Sequence, residues 1–171
     1  MGPKLILVFL LGAWSGGTLF MWSVAMQNFA VVNHILEGDH EDVRQAASSL
    51  EPGGLRSLLR YQASEVNRLF FEKWGLIQLP IAAIVMMLAW KQDGKFIAGA
   101  AVVMLLICLA LQFYVVPETI RLGHIMDFLP REPAPPEAAL FWRLHHSYTG
   151  LDMLKFLLGL STMGVLLRKV W

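Results

Sequence analysis

The chain has 171 residues, 56 % of them hydrophobic and 16 % charged, with a mean hydropathy of +0.54. Soluble domains carry about a quarter charged residues, so this composition points to lipid as the solvent. A net charge of +1 gives no basis for a nucleic-acid partner, and a single cysteine, Cys108, excludes an intrachain disulfide.

Crossing a hydrocarbon core takes about 20 mainly apolar residues. Four runs meet that length, at about 5–26, 69–90, 96–116 and 148–167, with extramembrane connectors at 27–68 and 117–147. The expectation is one all-α membrane domain over 1–171, a four-helix bundle with amphipathic helices forming a cap on one side. The first run resembles a signal peptide at its start, where Lys4 precedes LILVFLLGAW. Signal cores end after about 7–15 residues, whereas this one passes through Gly16 and Gly17 into TLFMWSVAM, so a true membrane helix is expected. Gly12 and Gly16 stand four apart and share a helix face that lets another backbone approach.

Gln27 and Asn28 mark the exit from lipid, and FAVVNHIL carries the helix on to about Leu36. An acidic turn around Gly38 follows, then RQAASSL as a short helix, and Glu51-Pro52-Gly53-Gly54 as a break. From Leu55 an apolar stripe of Leu55, Leu58, Leu59, Val66, Leu69 and Phe70 opposes Arg56, Arg60, Glu65, Arg68 and Glu72. Such a helix lies in the interfacial plane or packs on another extramembrane helix. Span two holds Pro80, with Trp74 and Trp90 at its ends as an aromatic belt. The KQDGK turn makes spans two and three an antiparallel hairpin, and the third is expected to stop at Pro117. The proline-rich segment from Arg131 to Glu137 reads as an extended connector ending where Ala138 starts a helix. Beyond it, Phe141, Trp142, Leu144 and Tyr148 put apolar and aromatic side chains at headgroup depth.

Orientation rests on the short loops. With the N-terminus inside, Lys4, Lys91, Lys95, Arg168 and Lys169 are inner, opposed only by Asp93. Both termini are then cytoplasmic, in a bacterial inner membrane, and all five histidines fall on the outer side with both long connectors.

Three groups of residues invite chemistry. Asp152 and Lys155 lie within the last span at i, i+3, hence on one face. A charge there costs about 2.5–3.5 kcal/mol on insertion scales. The plain reading is a self-neutralising pair that fixes the helix in its bundle; the functional readings are proton or ion passage, or headgroup binding. Glu65, Arg68 and Glu72 share a face at the entry to span two, as a solvated ion-pair cluster or as partners of Asp152 and Lys155 across helices. His34, His124, His145 and His146 are candidate ligands or interfacial side chains. A metal site would combine His40, Glu41 or Asp42 with His124, and a haem b would need His145 or His146 with His34 or His124. No metal and no resident cofactor is expected, because HxxxH, CxxC and CxxCH are absent. Nucleophile elbows, P-loops and dinucleotide fingerprints are absent too, which argues against an enzyme.

The segment VVPETIRLG, followed by a connector and then FWRLHHSYTGLDMLKFLLGL, resembles a bacterial four-helix membrane family of unknown function related to eukaryotic transmembrane protein 205. The likeness lies in Pro117, Phe141, Leu144, His145 and Ser147, and in Trp14 and Phe20 of the first helix. It departs at Asp152, where an uncharged polar residue is expected. The resemblance implies a four-helix membrane protein without an established activity. A shorter likeness, His146-Ser147-x-x-Gly150, is to cytochrome-b-type anchors, which bind haem and quinone. The expected function is a non-enzymatic accessory or structural subunit that binds membrane lipids, a partner membrane subunit or a second copy of itself. The alternatives are a haem b and quinone anchor of a redox complex, and a small ion- or metal-handling protein.

Overall fold

A computed structural model describes residues 2–130 and 132–168. Arg131 and Lys169, used above for the connector and the orientation, lie outside the described residues. Six α-helices follow in order: α1 Pro3–Glu37, α2 Glu41–Ala46, α3 Gly54–Trp90, α4 Lys95–Ala110, α5 Val116–Met126 and α6 Ala138–Arg168. A π-helical turn, Leu111–Val115, joins α4 to α5 without a break. The described chain therefore contains four helices long and apolar enough to cross a bilayer: α1, α3, α4 with α5, and α6.

Each long helix buries one narrow seam. On α1 it is Leu7, Leu11, Trp14, Thr18 and Met21; on α6 it is Leu144, Asp152, Lys155, Gly159, Thr162 and Leu166. These steps of three and four residues keep one face toward the neighbouring helices. Alanines supply much of the α3 and α4 seams, at Ala82, Ala89, Ala100 and Ala101, so those backbones come close, as in membrane interfaces. The opposite faces present Phe9, Phe20, Met87, Leu106, Phe113 and Leu157 outward. That greasy exterior is the lipid-facing surface.

Both connectors meet at one end of the bundle. There Tyr61 of α3 lies 5.1 Å from Phe128 just after α5, and Phe71 lies 5.1 Å from Tyr148 of α6. The single-sided cap expected from sequence is present.

Several expectations change. The amphipathic stretch from Leu55 does not lie separately in the interfacial plane; it is the first half of α3, continuous with span two. Gly53, at φ +83°, makes the turn before it in a backbone conformation that only glycine adopts freely. The short helix after the acidic turn is α2, beginning at Glu41 rather than within RQAASSL. The third span does not stop at Pro117. Proline is tolerated in the first turn of a helix, where its missing N–H has no partner to lose, and the π turn provides that start. Trp90 stays exposed at its end of the bundle, but Trp74 packs inward over Gly17, where an added Cβ would stand 2.3 Å from its ring. Gly12 is in ordinary contact with Met163 at 3.8 Å and Gly16 faces open space, so the closest approaches fall at Gly17, Gly75 and Gly123 instead.

Candidate functional site

Inside the bundle, α6 carries the predicted pair. Asp152 and Lys155 are each 1 % exposed and form an ion pair one helical turn apart. Helical side chains lean toward the N-terminus, so the Lys155 ammonium rises to the Asp152 carboxylate. The ammonium also donates to Gln78 Oε1 of α3, which accepts a second bond from Trp14 Nε1 at 2.9 Å. The other carboxylate oxygen accepts from Trp22 Nε1 at 2.7 Å. Lys155 Nζ lies 5.6 Å from the centroid of the Trp14 ring, within cation–π range. Three helices are thus tied by one network in which both carboxylate oxygens and the ammonium have partners. Beside it is a void of about 10 Å³, bounded in part by Thr18, Ser15 and Lys155, about the smallest space that holds one water.

A second network knots the cap. Arg68 of α3 grips Asp127, just after α5, with two bonds of 2.7 Å, and also bonds Glu65 one turn earlier. His124 Nε2 lies 2.8 Å from Glu65 Oε1. The Arg68 guanidinium holds the Glu65 carboxyl below its usual range, with His124 adding to the effect against partial burial. Gly123 leaves room for this grip, since a Cβ there would stand 2.5 Å from an Arg68 nitrogen. Glu65, His124 and Asp127 bring donor atoms within 4.8 Å of one another. The guanidinium already bonds both carboxylates, so a cation would have to displace it.

The two networks are separate. Arg68 meets Asp127 rather than Asp152, and Glu72 is exposed and makes no ion pair among the described residues, so the expected four-charge cluster is not assembled. The histidines are also apart. His34 meets His40 edge-on at 5.7 Å, and His145 and His146 pack against Trp142. The cavities around His145 and His124 hold one histidine each. His40, Glu41 and Asp42 sit at α2, which packs on no other helix, and do not join His124.

Between the networks lies a cavity that the sequence did not flag. Its inner part, about 150 Å³, is walled by Phe29, Phe71, Phe141 and Tyr148, with Ser64 and His145 among its polar groups. It continues into an outer part of about 510 Å³ reaching Tyr61, Asp127 and Trp142. Asn67, between α1 and α3, has its amide fixed by Asn28 and the Ala25 carbonyl, which holds the wall in place. Sequence reasoning missed Trp14, Trp22 and Gln78: the two tryptophans stand eight apart along the face of Thr18 and Gln78 interrupts an apolar run, but neither spacing says which helix it faces. Asp127 carried no such signal, because its partner lies 59 residues away.

Comparisons with protein-family models, with characterised proteins and with solved structures find no match.

Proposed function

We propose that this is a small integral membrane protein that binds an amphiphilic lipid in its cap cavity and acts through binding rather than catalysis. The observation that carries the reading is the aromatic cavity between α1, α3, α5 and α6. It sits at the depth where the apolar spans give way to the polar connectors. Ligand pockets for apolar molecules combine such linings with a few placed polar groups. The fixed-charge networks on either side serve the fold: the Asp152–Lys155 pair neutralises itself, Arg68 bridges Glu65 and Asp127, and together they hold the four walls in register. We place the cap on the outer face of a bacterial inner membrane with both termini cytoplasmic, on the strength of the basic short loops.

Extraction in mild detergent followed by native mass spectrometry tests this. The wild-type protein is expected to retain a lipid adduct that Ser64→Phe, whose ring fills the inner cavity, does not. Equal lipid retention by both proteins at equal thermal stability would reject the cavity as the binding place.

A further inference from the structure

We infer that the ligand's head, given the cavity reading above, is an uncharged group with oxygen acceptors rather than a phosphate or a carboxylate. The inner wall presents three side chains able to donate a hydrogen bond that make none within the protein: the Ser64 hydroxyl, the Tyr148 hydroxyl and the His145 imidazole. Among the described residues none of the three meets a protein acceptor through its side chain. They share that space with the rings of Phe29, Phe71 and Phe141 and with aliphatic side chains, and they stay open to water that a ligand's acceptors would replace.

The charges nearby do not favour an anion. Arg68 is the cation of the inner wall, and its grip on Asp127 and Glu65 sets two carboxylates against one guanidinium. An anionic head would enter beside those carboxylates and compete with them. Arg60 lines the outer part together with Ser64 and His145, and its guanidinium lies over the Phe29 ring, 5.5 Å from the centroid, within cation–π range. His145 stacks in parallel on Phe141, 6.1 Å between centroids. Its imidazole is held below the usual histidine range by desolvation, with His146 adding, and is therefore neutral at pH 7. Two hydroxyls and a neutral imidazole donate well to carbonyl or ester oxygens, whereas a phosphate demands cations. A flat aromatic wall also accepts a planar ring. The shared chemistry is carbonyl oxygen on an apolar body, which a quinone ring or the glycerol end of a diacylglycerol supplies.

The test uses the purified full chain in neutral detergent and three probes: decylubiquinone, dioctanoylglycerol and the anionic dioctanoylphosphatidylglycerol. Binding is read from quenching of Trp142, which lines the outer cavity, with Trp142→Phe as the blank. One or both neutral probes are expected to bind at least about tenfold more tightly than the anionic one, and which of them does so identifies the source of the carbonyl. Tyr148→Phe with Ser64→Ala is expected to weaken the preferred probe by about tenfold, the scale of one or two lost hydrogen bonds. Circular dichroism melts confirm that the variant folds. Tighter or equal binding of the anionic probe, or an unchanged affinity in a folded double variant, overturns the inference and leaves the cavity reading standing. Failure of all three probes to bind overturns both.

Discussion

Replacing Lys155 by methionine keeps the side-chain length and removes the charge. The Asp152 carboxylate then stays 1 % exposed with Trp22 as its remaining partner, while Gln78 keeps its bond from Trp14. Breaking a buried ion pair from one side costs about 3–5 kcal/mol, because an uncompensated charge is left behind. Removing both charges is different. In Asp152→Leu with Lys155→Met no charge remains in the bundle, and the chief loss is the Trp22 bond, about 1 kcal/mol. Replacing a buried pair by packed apolar groups is often neutral or stabilising by about 1–4 kcal/mol. The double variant should therefore stand within about 2 kcal/mol of the wild type, with a coupling energy of about 3 kcal/mol or more between the two sites. Titration of mixed micelles with sodium dodecyl sulfate, followed by tryptophan emission, measures all four corners of the cycle, and Trp14 and Trp22 report from the site itself. If Lys155→Met unfolds at the wild-type detergent fraction, or the double variant falls as far as the sum of the singles, the pair does not clamp the bundle.

The same enclosure predicts that proteoliposomes carrying the wild type and Asp152→Asn leak protons equally, as a pH-sensitive dye in the lumen would report; a leak abolished by the variant would place Asp152 on a pathway. Gly75→Ala should cost about 1–3 kcal/mol by overpacking, because its Cβ would stand 1.8 Å from Gln112 Oε1. Gln112→Ala in the same chain should restore the melting temperature by removing that atom. For Glu65 the folded pKa is lowered, so its contribution to stability is present above the unfolded value of 4.5 and is lost as pH falls through the folded one. Melts between pH 6 and pH 3 should show this loss, and Glu65→Gln should flatten that part of the profile.

The four spans were legible because length and apolarity fix them with no knowledge of neighbours. The Asp152–Lys155 pair was legible for the same reason, since its spacing is local to one helix. Its partners were not. Gln78, Trp14 and Trp22 come from helices whose relative rotation is set by packing, and a lone glutamine in an apolar run does not say which neighbour it faces. The Arg68 grip on Asp127 failed for a related reason: Glu65 and Glu72 offered nearer carboxylates, and helical spacing made them the natural partners. The structure leaves Glu72 outside and draws Arg68 across to the end of α5, where two parallel bonds to a carboxylate exceed what one local acid provides.

The π turn explains how that crossing is possible. A helix read as ending at Pro117 would put Asp127 in a connector with no fixed position. Instead Leu111–Val115 takes in one more residue than an α turn, and the Val116 N–H reaches back to the Leu111 carbonyl. One extra residue turns everything after it by about 100° relative to the helix before. The apolar seam of α4 therefore need not continue straight up α5. Leu122 and Gly123 are buried and Asp127 reaches Arg68, while Phe113 is left facing lipid. Gln112 sits within the turn, buried, its amide oxygen pressed against Gly75 without a hydrogen-bond partner. The wide turn thus carries an unmatched polar group, and the Arg68–Asp127 bonds it makes reachable hold α5 against α3. Those bonds also fix one wall of the aromatic cavity, so the irregular turn in the third span positions the place where a ligand would bind.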